Sequence, residues 1–281
     1  MLKLIHPASI INGVPADHIS VADRGLHYGD GLFETLTVDA GTPLLWDAHL
    51  QRLLSGCERL RMPAPDVNVL ADEAAQLCAG QTRAVLKIIV TRGPSARGYA
   101  PPRHATPTRI LSRSPWPDHP AAYARYGVAV DWCATPLARN PRLAGIKHLN
   151  RLEQVLARAE CAAPRAEGLM CDTDGYVIEG TMSNLFIVSG GTLVTPDLSQ
   201  SGVAGVLRAQ VLTVARARGL GCREAWLKPA EVEAAEELFL TNSIIGLWPV
   251  TRLGARTYPL GKITQTIQEA LAAARAIALP V

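Results

Sequence analysis

Lys147, within Gly145-Ile146-Lys147-His148-Leu149-Asn150-Arg151-Leu152, is the residue whose type and setting say most about chemistry. The chain has five lysines (Lys3, Lys87, Lys147, Lys228 and Lys262) among 28 basic residues, so arginine supplies nearly all of the positive charge. Of the two cationic side chains, only the lysine amine loses its proton readily enough to attack a carbonyl and form a Schiff base. A solvated lysine beside a helix start is the ordinary alternative, and the neighbours must decide.

An aldehyde cofactor on Lys147 would need an anion site, an acid facing its ring nitrogen, and a group that binds substrate carboxylate. Gly202-Val203-Ala204-Gly205-Val206-Leu207-Arg208 runs into a helical pattern, so its free backbone amides can bind a phosphate. A flexible glycine loop would look the same. Glu179 ends the apolar run Tyr176-Val177-Ile178, where a carboxylate is costly unless paired; a pyridinium would pair it, and so would water at a strand end. Arg52, one turn after His49, offers a bidentate fork to phosphate, although most helix arginines face solvent. Arg97 and Tyr99 follow a strand in Thr91-Arg92-Gly93-Pro94-Ser95-Ala96-Arg97-Gly98-Tyr99, a loop suited to presenting donors or simply to solvation. Lys87 lies among Val85, Leu86, Ile88 and Ile89, which reads as an outward residue of a half-buried strand and not as a second nucleophile.

These residues need elements to hold them. Leu149, Leu152, Val155, Leu156 and Ala159 recur at helical spacing after the lysine, with Asn150 and Glu153 as a reciprocal cap. Val128, Val130 and Trp132 alternate as a strand before it, and Pro136 to Gly145 connects the two. Trp46, Leu50, Leu53, Leu54, Cys57 and Leu60 mark a first long helix, and a second spans 67–79. Strands follow at 83–92 and 108–112. Gly25 to Gly31 reads as a glycine-rich loop that lacks the third glycine of a dinucleotide fingerprint. Asp174-Gly175 and Gly190-Gly191 signal hairpins, and Ile263, Ile267, Leu271 and Ala274 give the last helix its core face. Proline-rich Ser114 to Pro120 breaks all periodicity. The expectation is a small α+β domain at 1–114, a linker at 115–121, and a larger domain at 122–281 carrying Lys147.

At 281 residues and 48% hydrophobic, the chain can bury a sizeable core. A net charge of +3 with interspersed signs gives no footprint for nucleic acid or an anionic membrane. No stretch reaches the roughly 20 apolar residues of a span, and the six cysteines lack metal-ligand spacing. The reading is a cytoplasmic protein with free thiols, no metal, and a small-molecule substrate.

Taken in order, Asp23-Arg24-Gly25-Leu26, Tyr28-Gly29-Asp30-Gly31-Leu32-Phe33-Glu34, His49 to Arg52, Thr91-Arg92-Gly93, Lys147, Glu179-Gly180 with Ser183-Asn184-Leu185-Phe186, and Gly205-Val206 resemble the fold-type IV pyridoxal-phosphate enzymes nearly end to end. Within that group, Arg139-Asn140-Pro141, Leu143 to Val155 and Ser95 to Tyr99 are most similar to the aminodeoxychorismate lyases. The resemblance implies a two-domain α+β fold of the D-amino-acid aminotransferase type, with the active site in the interdomain cleft, and a homodimer. It implies pyridoxal 5'-phosphate on Lys147, Glu179 at the pyridine nitrogen, and Arg52, the Val206 and Leu207 amides and Ser243 at the phosphate. Aminotransferases of this fold often place threonine where Leu207 stands, so here only the backbone would serve. Arg97, Tyr99 and Asn242 fall at substrate positions. The implied reaction is carbon–oxygen cleavage of 4-amino-4-deoxychorismate to 4-aminobenzoate and pyruvate, a step of folate synthesis. An aminotransferase for D-amino or branched-chain amino acids, and a non-catalytic cofactor-binding protein, are the alternatives.

Overall fold

Alternation along 83–91 decides the first sheet: Ala84, Leu86, Ile88 and Val90 are all at most 2% exposed, while Lys87 between them is exposed. That strand, β5 (Arg83–Thr91), lies between β3 (Gly31–Asp39) and β6 (Thr108–Pro115) in an antiparallel sheet completed by β1 (Ala8–Ile11), β2 (Val14–Pro15) and β4 (Thr42–Pro43), in the order β2-β1-β6-β5-β3-β4. Two helices pack on it, α2 (Trp46–Arg59) and α3 (Val67–Cys78). Leu50, Leu53 and Cys57 of α2 are buried as their spacing predicts, joined by His49 and Gly56. A Cβ at Gly56 would press on the Leu32 side chain. Asp66 caps α3 by accepting from the Asn68 and Val69 amides.

The computed structural model describes residues 8–163 and 165–277; Lys3 and the opening of the first segment lie outside them. Contacts divide the chain into one unit of Met1–Pro117 with Ile146–Asn150, and a second of Asp118–Gly145 with Arg151–Val281. The strip bearing Lys147 therefore groups with the first unit instead of with the larger domain in which it was expected. Backbone pairing is the reason: Phe33 N–H donates to the Lys147 carbonyl at 2.9 Å and Leu149 N–H to the Gly31 carbonyl at 3.0 Å, which makes the strip an added edge on β3. The 25–31 segment also differs from a plain loop. Arg24–Tyr28 forms the short helix α1, capped by the Asp23 carboxylate and closed by Gly29 at φ 63°.

The second unit is built on a nine-stranded mixed sheet. Its path is β12 (Cys222–Ala225), β11 (Thr192–Pro196), β10 (Asn184–Ser189), β13 (Glu237–Asn242), β14 (Gly246–Leu253), β7 (Val128–Trp132), β8 (Glu167–Cys171) and β9 (Val177–Gly180), with β15 (Arg256–Thr257) on β14. The β10–β11 hairpin turns at Gly190 and Gly191, both at positive φ (56° and 71°), as that dipeptide predicts. Phe186 and Phe239 stack in its core at 4.9 Å. Helices α4 (Ala122–Tyr126), α5 (Leu152–Ala159), α6 (Val206–Ala217), α7 (Pro229–Glu233) and α8 (Lys262–Ala273) complete the unit. On α8 the buried face is Thr264, Ile267, Ala270 and Leu271, so Ile263 is only half-buried and Ala274, past its end, is exposed. No helix among the described residues is long and apolar enough to cross a membrane.

Helix α5 departs from expectation twice. Its N-cap is Arg151 with no side-chain cap; Asn150 instead donates to the Gly29 carbonyl, and Glu153 accepts from the Ala138 amide. Its apolar positions Leu152, Val155 and Leu156 are 76%, 61% and 59% exposed, while only Ala157 is buried.

Candidate active site

In the first unit, the Lys147 strip brings its amine over the Phe33 ring, 4.4 Å from the centroid. Gly145 precedes it at φ 82°, a conformation that favours glycine. Phe33 is followed in β3 by Glu34, which is 1% exposed and organises what lies behind the lysine. Glu34 accepts from Arg52 Nε at 2.8 Å and Nη2 at 2.5 Å, a bidentate fork, and meets His49 Nδ1 at 2.6 Å. Burial pushes the Glu34 carboxyl up, but Arg52 and His49 outweigh it and hold it below the usual range. Burial pushes His49 the other way, below the usual histidine value; Glu34 opposes this, while the Arg52 and Lys147 charges reinforce it. A neutral imidazole thus sits beside an ionised carboxylate and two cations. The sequence named Glu34 and His49 only as parts of motifs; a glutamate in an apolar strand facing a histidine–arginine pair one turn apart was the available signal.

In the second unit, Glu179 at the end of β9 is 4% exposed and accepts from the Val203 amide through Oε2 at 2.8 Å. That bond draws the 201–205 loop against the carboxylate. Gly202 adopts φ 83°, and a Cβ there would crowd Ile178 and Leu198. The loop is held from its other side by Gly145, which donates to the Gly202 carbonyl at 2.9 Å and accepts from the Ala204 amide at 3.0 Å. Asn184 adds a bond from Nδ2 to the Val203 carbonyl at 2.9 Å, and a Cβ on Gly205 would collide with its Oδ1. Asn184 is a positioning side chain that the sequence showed as a motif without a role.

The loop ends at α6, whose N-cap Gly205 provides no capping side chain. The first amides of a helix have no intrahelical acceptor, and the helix dipole favours an anion there. The Leu207 side chain is buried, leaving only its amide for a ligand, as Leu207 in place of threonine implies. Asn242 closes β13: Nδ2 donates to the Met182 carbonyl at 2.9 Å, and Oδ1 accepts from the Ile244 and Ile245 amides at 2.8 Å each. These bonds shape the turn that presents Ser243. The neighbouring Thr241 hydroxyl is buried without a hydrogen-bond partner among the described residues.

Arg97 and Tyr99 lie on the loop after β5, where Tyr99 is 85% exposed and its ring meets Tyr28 at 5.3 Å. Lys87 is exposed, with its amine 5.2 Å from the Phe33 centroid. Among the described residues, no cluster of His, Cys, Asp or Glu is placed to hold a metal ion. All six cysteines are free.

Taken unit by unit, the amine and guanidinium of the first and the buried carboxylate and uncapped helix start of the second are each donor types that suit a phosphorylated pyridine aldehyde. The chain belongs to the amino-transferase class IV family, which it matches over residues 31–253. Its similarity extends to particular members. It is 36% identical over 263 residues to the aminodeoxychorismate lyase of Vibrio harveyi, covering 92% of this chain and 97% of that one. It is similar to the crystal structure of 4-amino-4-deoxychorismate lyase from Pseudomonas aeruginosa, with TM-score 0.91, 50% identity, and coverage of 94% and 98%. A hypothetical aminotransferase from Mycobacterium tuberculosis in its PLP-bound form follows at TM-score 0.80 and 26% identity, covering 95% of each chain. The fold is that of the fold-type IV pyridoxal-phosphate enzymes.

Proposed function

We propose that this chain is a pyridoxal-phosphate-dependent lyase that converts 4-amino-4-deoxychorismate into 4-aminobenzoate and pyruvate. One observation carries the reading: an almost full-length match to lyases of that name, at 36% and 50% identity, in a chain that carries the lysine, the carboxylate and the helix start. Transamination is the weaker reading, because the aminotransferase similarities stand at 30% and 26% identity.

Bound pyridoxal phosphate supplies an aldehyde that captures amines and a ring that withdraws electrons from the amine-bearing carbon. Lys147 would hold it through its side-chain amine, which is then free to act as a base once substrate is bound. The freed Lys147 Nζ then takes the proton from the amine-bearing ring carbon, and the enolpyruvyl oxygen departs with a proton from Lys147 or a bound water. Aromatisation of the six-membered ring drives the cleavage. Lys147 would regain its hold on the cofactor as 4-aminobenzoate leaves, so the cycle needs no second amino acceptor. Arg52, the Val206 and Leu207 amides and Ser243 hold the phosphate. The Glu179 carboxylate keeps the pyridine nitrogen protonated, with its orientation fixed by the Val203 amide. Arg97 and Tyr99 meet the substrate carboxylates.

The proposal includes a homodimer in the cytoplasm. The exposed apolar face of α5 supports the dimer, since three large side chains on one short helix are an unusual load for solvent.

The test uses purified protein loaded with pyridoxal phosphate. Borohydride reduction and peptide mapping should place the label on Lys147, and aminodeoxychorismate should give equal amounts of pyruvate and 4-aminobenzoate, both abolished in Lys147→Ala. Absence of those products from labelled enzyme, with turnover of an amino acid and 2-oxoglutarate instead, would overturn the lyase reading. Label elsewhere than Lys147 would overturn the site.

A further inference from the structure

We propose that Arg24 is a positioning residue for substrate recognition, acting by holding the Ser95–Ala100 loop in the shape that presents Arg97 and Tyr99. This rests on the reading of that loop as the one that meets substrate carboxylates. Arg24 stands in the Asp23-Arg24-Gly25-Leu26 motif, none of which the proposed mechanism uses.

The Arg24 side chain is 5% exposed, and a buried cation must be paired and hydrogen-bonded. Its Nε donates to Asp30 Oδ2 at 2.8 Å. The rest of the guanidinium is spent on the loop: Nη1 donates to the Gly98 carbonyl at 2.9 Å and to Ser95 Oγ at 3.2 Å, and Nη2 to the Tyr99 carbonyl at 2.9 Å. The Ala100 carbonyl lies 3.5 Å from Nη1. Three successive carbonyls thus converge on one cation, which Gly98 permits by adopting φ 116°. Turning those carbonyls inward leaves the Tyr99 side chain outside. The planar fork is essential here, because a lysine ammonium is a point charge that cannot reach three acceptors in one plane while also pairing with Asp30.

Arg24 is itself held from both sides. Asp23 caps α1 and accepts from the Thr91 and Thr108 hydroxyls at 3.0 and 2.7 Å, which fixes the start of the helix. Asp30 is shared with Arg92, whose Nη1 and Nη2 donate to the Arg61 and Leu60 carbonyls just past α2. Burial pushes the Asp30 carboxyl up, but Arg92 and Arg24 more than reverse this, so it stays ionised between them. Tyr28 adds a further tether, its hydroxyl accepting from the Gly98 amide at 3.3 Å beneath the Arg24 guanidinium. The loop is therefore tied to Asp30 at the start of β3 through the Arg24 guanidinium, and onward to the end of α2 through that of Arg92.

The experiment compares Arg24→Lys, Ser95→Ala, Arg97→Ala and Arg24→Lys with Arg97→Ala in the cofactor-loaded enzyme. For each, KM and kcat for aminodeoxychorismate are measured, together with melting temperature and borohydride labelling of Lys147. Arg24→Lys should raise KM about tenfold, equivalent to ~1.4 kcal/mol, with kcat and labelling held within about twofold, a split that a general loss of structure would not give. Added to Arg97→Ala it should raise KM less than about twofold further, because the two act through one contact. Ser95→Ala removes one tether and should raise KM about two- to fivefold; it carries the test if Arg24→Lys does not fold. An unchanged KM in the folded variants, effects that multiply in the double variant, or a loss confined to kcat and labelling would overturn the proposal. If Arg97→Ala leaves KM unchanged, the substrate role of the loop is wrong and Arg24's role falls with it, while product formation would still uphold the lyase reaction.

Discussion

Replacing Glu34 with glutamine isolates what holds Arg52, the arginine proposed to bind the phosphate. Glu34 is 1% exposed and gives both oxygens to Arg52, which is 13% exposed at its side chain. Hydrogen bonds to charged groups contribute about 1.5–3 kcal/mol each, and breaking one partner of a buried pair costs about 3–5 kcal/mol. Glutamine keeps Oε1 as an acceptor but turns an NH2 toward Nη2, so one bond survives and the other becomes a donor facing a donor. The lower end of the range applies, about 3 kcal/mol. At roughly 2–4 °C per kcal/mol for a chain of this size, the cofactor-free variant should melt about 6–12 °C below the parent.

The pH dependence follows from the depressed carboxyl of Glu34. A carboxyl whose folded pKa lies below its unfolded value contributes stability above the unfolded value and loses it as pH falls through the folded one. The gap between Glu34→Gln and the parent should therefore be full at pH 7 and close as pH falls below about 4. A bound phosphate supplies Arg52 with the negative charge that the variant lacks, so saturating pyridoxal phosphate should narrow the gap at pH 7. Differential scanning calorimetry with and without cofactor measures both effects. A cofactor-free variant melting within 2 °C of the parent, or a gap that widens when phosphate is bound, would refute the assignment of Glu34 as the group orienting Arg52.

His49 should make the cofactor-free protein acid-labile at higher pH. Its pKa is depressed by burial, so stability is present above the ordinary histidine value and falls as pH drops through about 6.5 and below; urea midpoints from pH 5 to 8 should slope in the parent and flatten in His49→Gln, and equal slopes would exclude the histidine. The α5 face should carry the dimer: Leu152→Glu with Leu156→Glu ought to halve the mass seen by sedimentation velocity, whereas a variant that stays dimeric, or a parent that is already monomeric, would dismiss that surface.

How far the sequence foretold this arrangement depends on the range of the interactions. Local signals were sufficient for α2, whose Leu50, Leu53 and Cys57 are buried at helical spacing, and for the Gly190–Gly191 turn. Both are decided within a few residues by periodicity and by positive φ. The lysine was legible as a scarce residue of the right chemistry, but not its placement. That placement comes from pairing Phe33 and Gly31 with Lys147 and Leu149, partners far apart in the chain that no window of residues contains. The same limit explains Asn150, whose cap-like position before Glu153 was a sound local reading until Gly29 offered a distant carbonyl. It also explains α5. Apolar residues at spacings of three and four report that a helix has a face to be covered, and this signal is identical whether the cover is the protein's own sheet or a second molecule. Only burial separates the two cases, and on α5 Ala157 is covered while Leu152, Val155 and Leu156 are not. The periodicity that predicted a core contact is thus better spent as the argument for an interface, placed directly after the strip that carries Lys147.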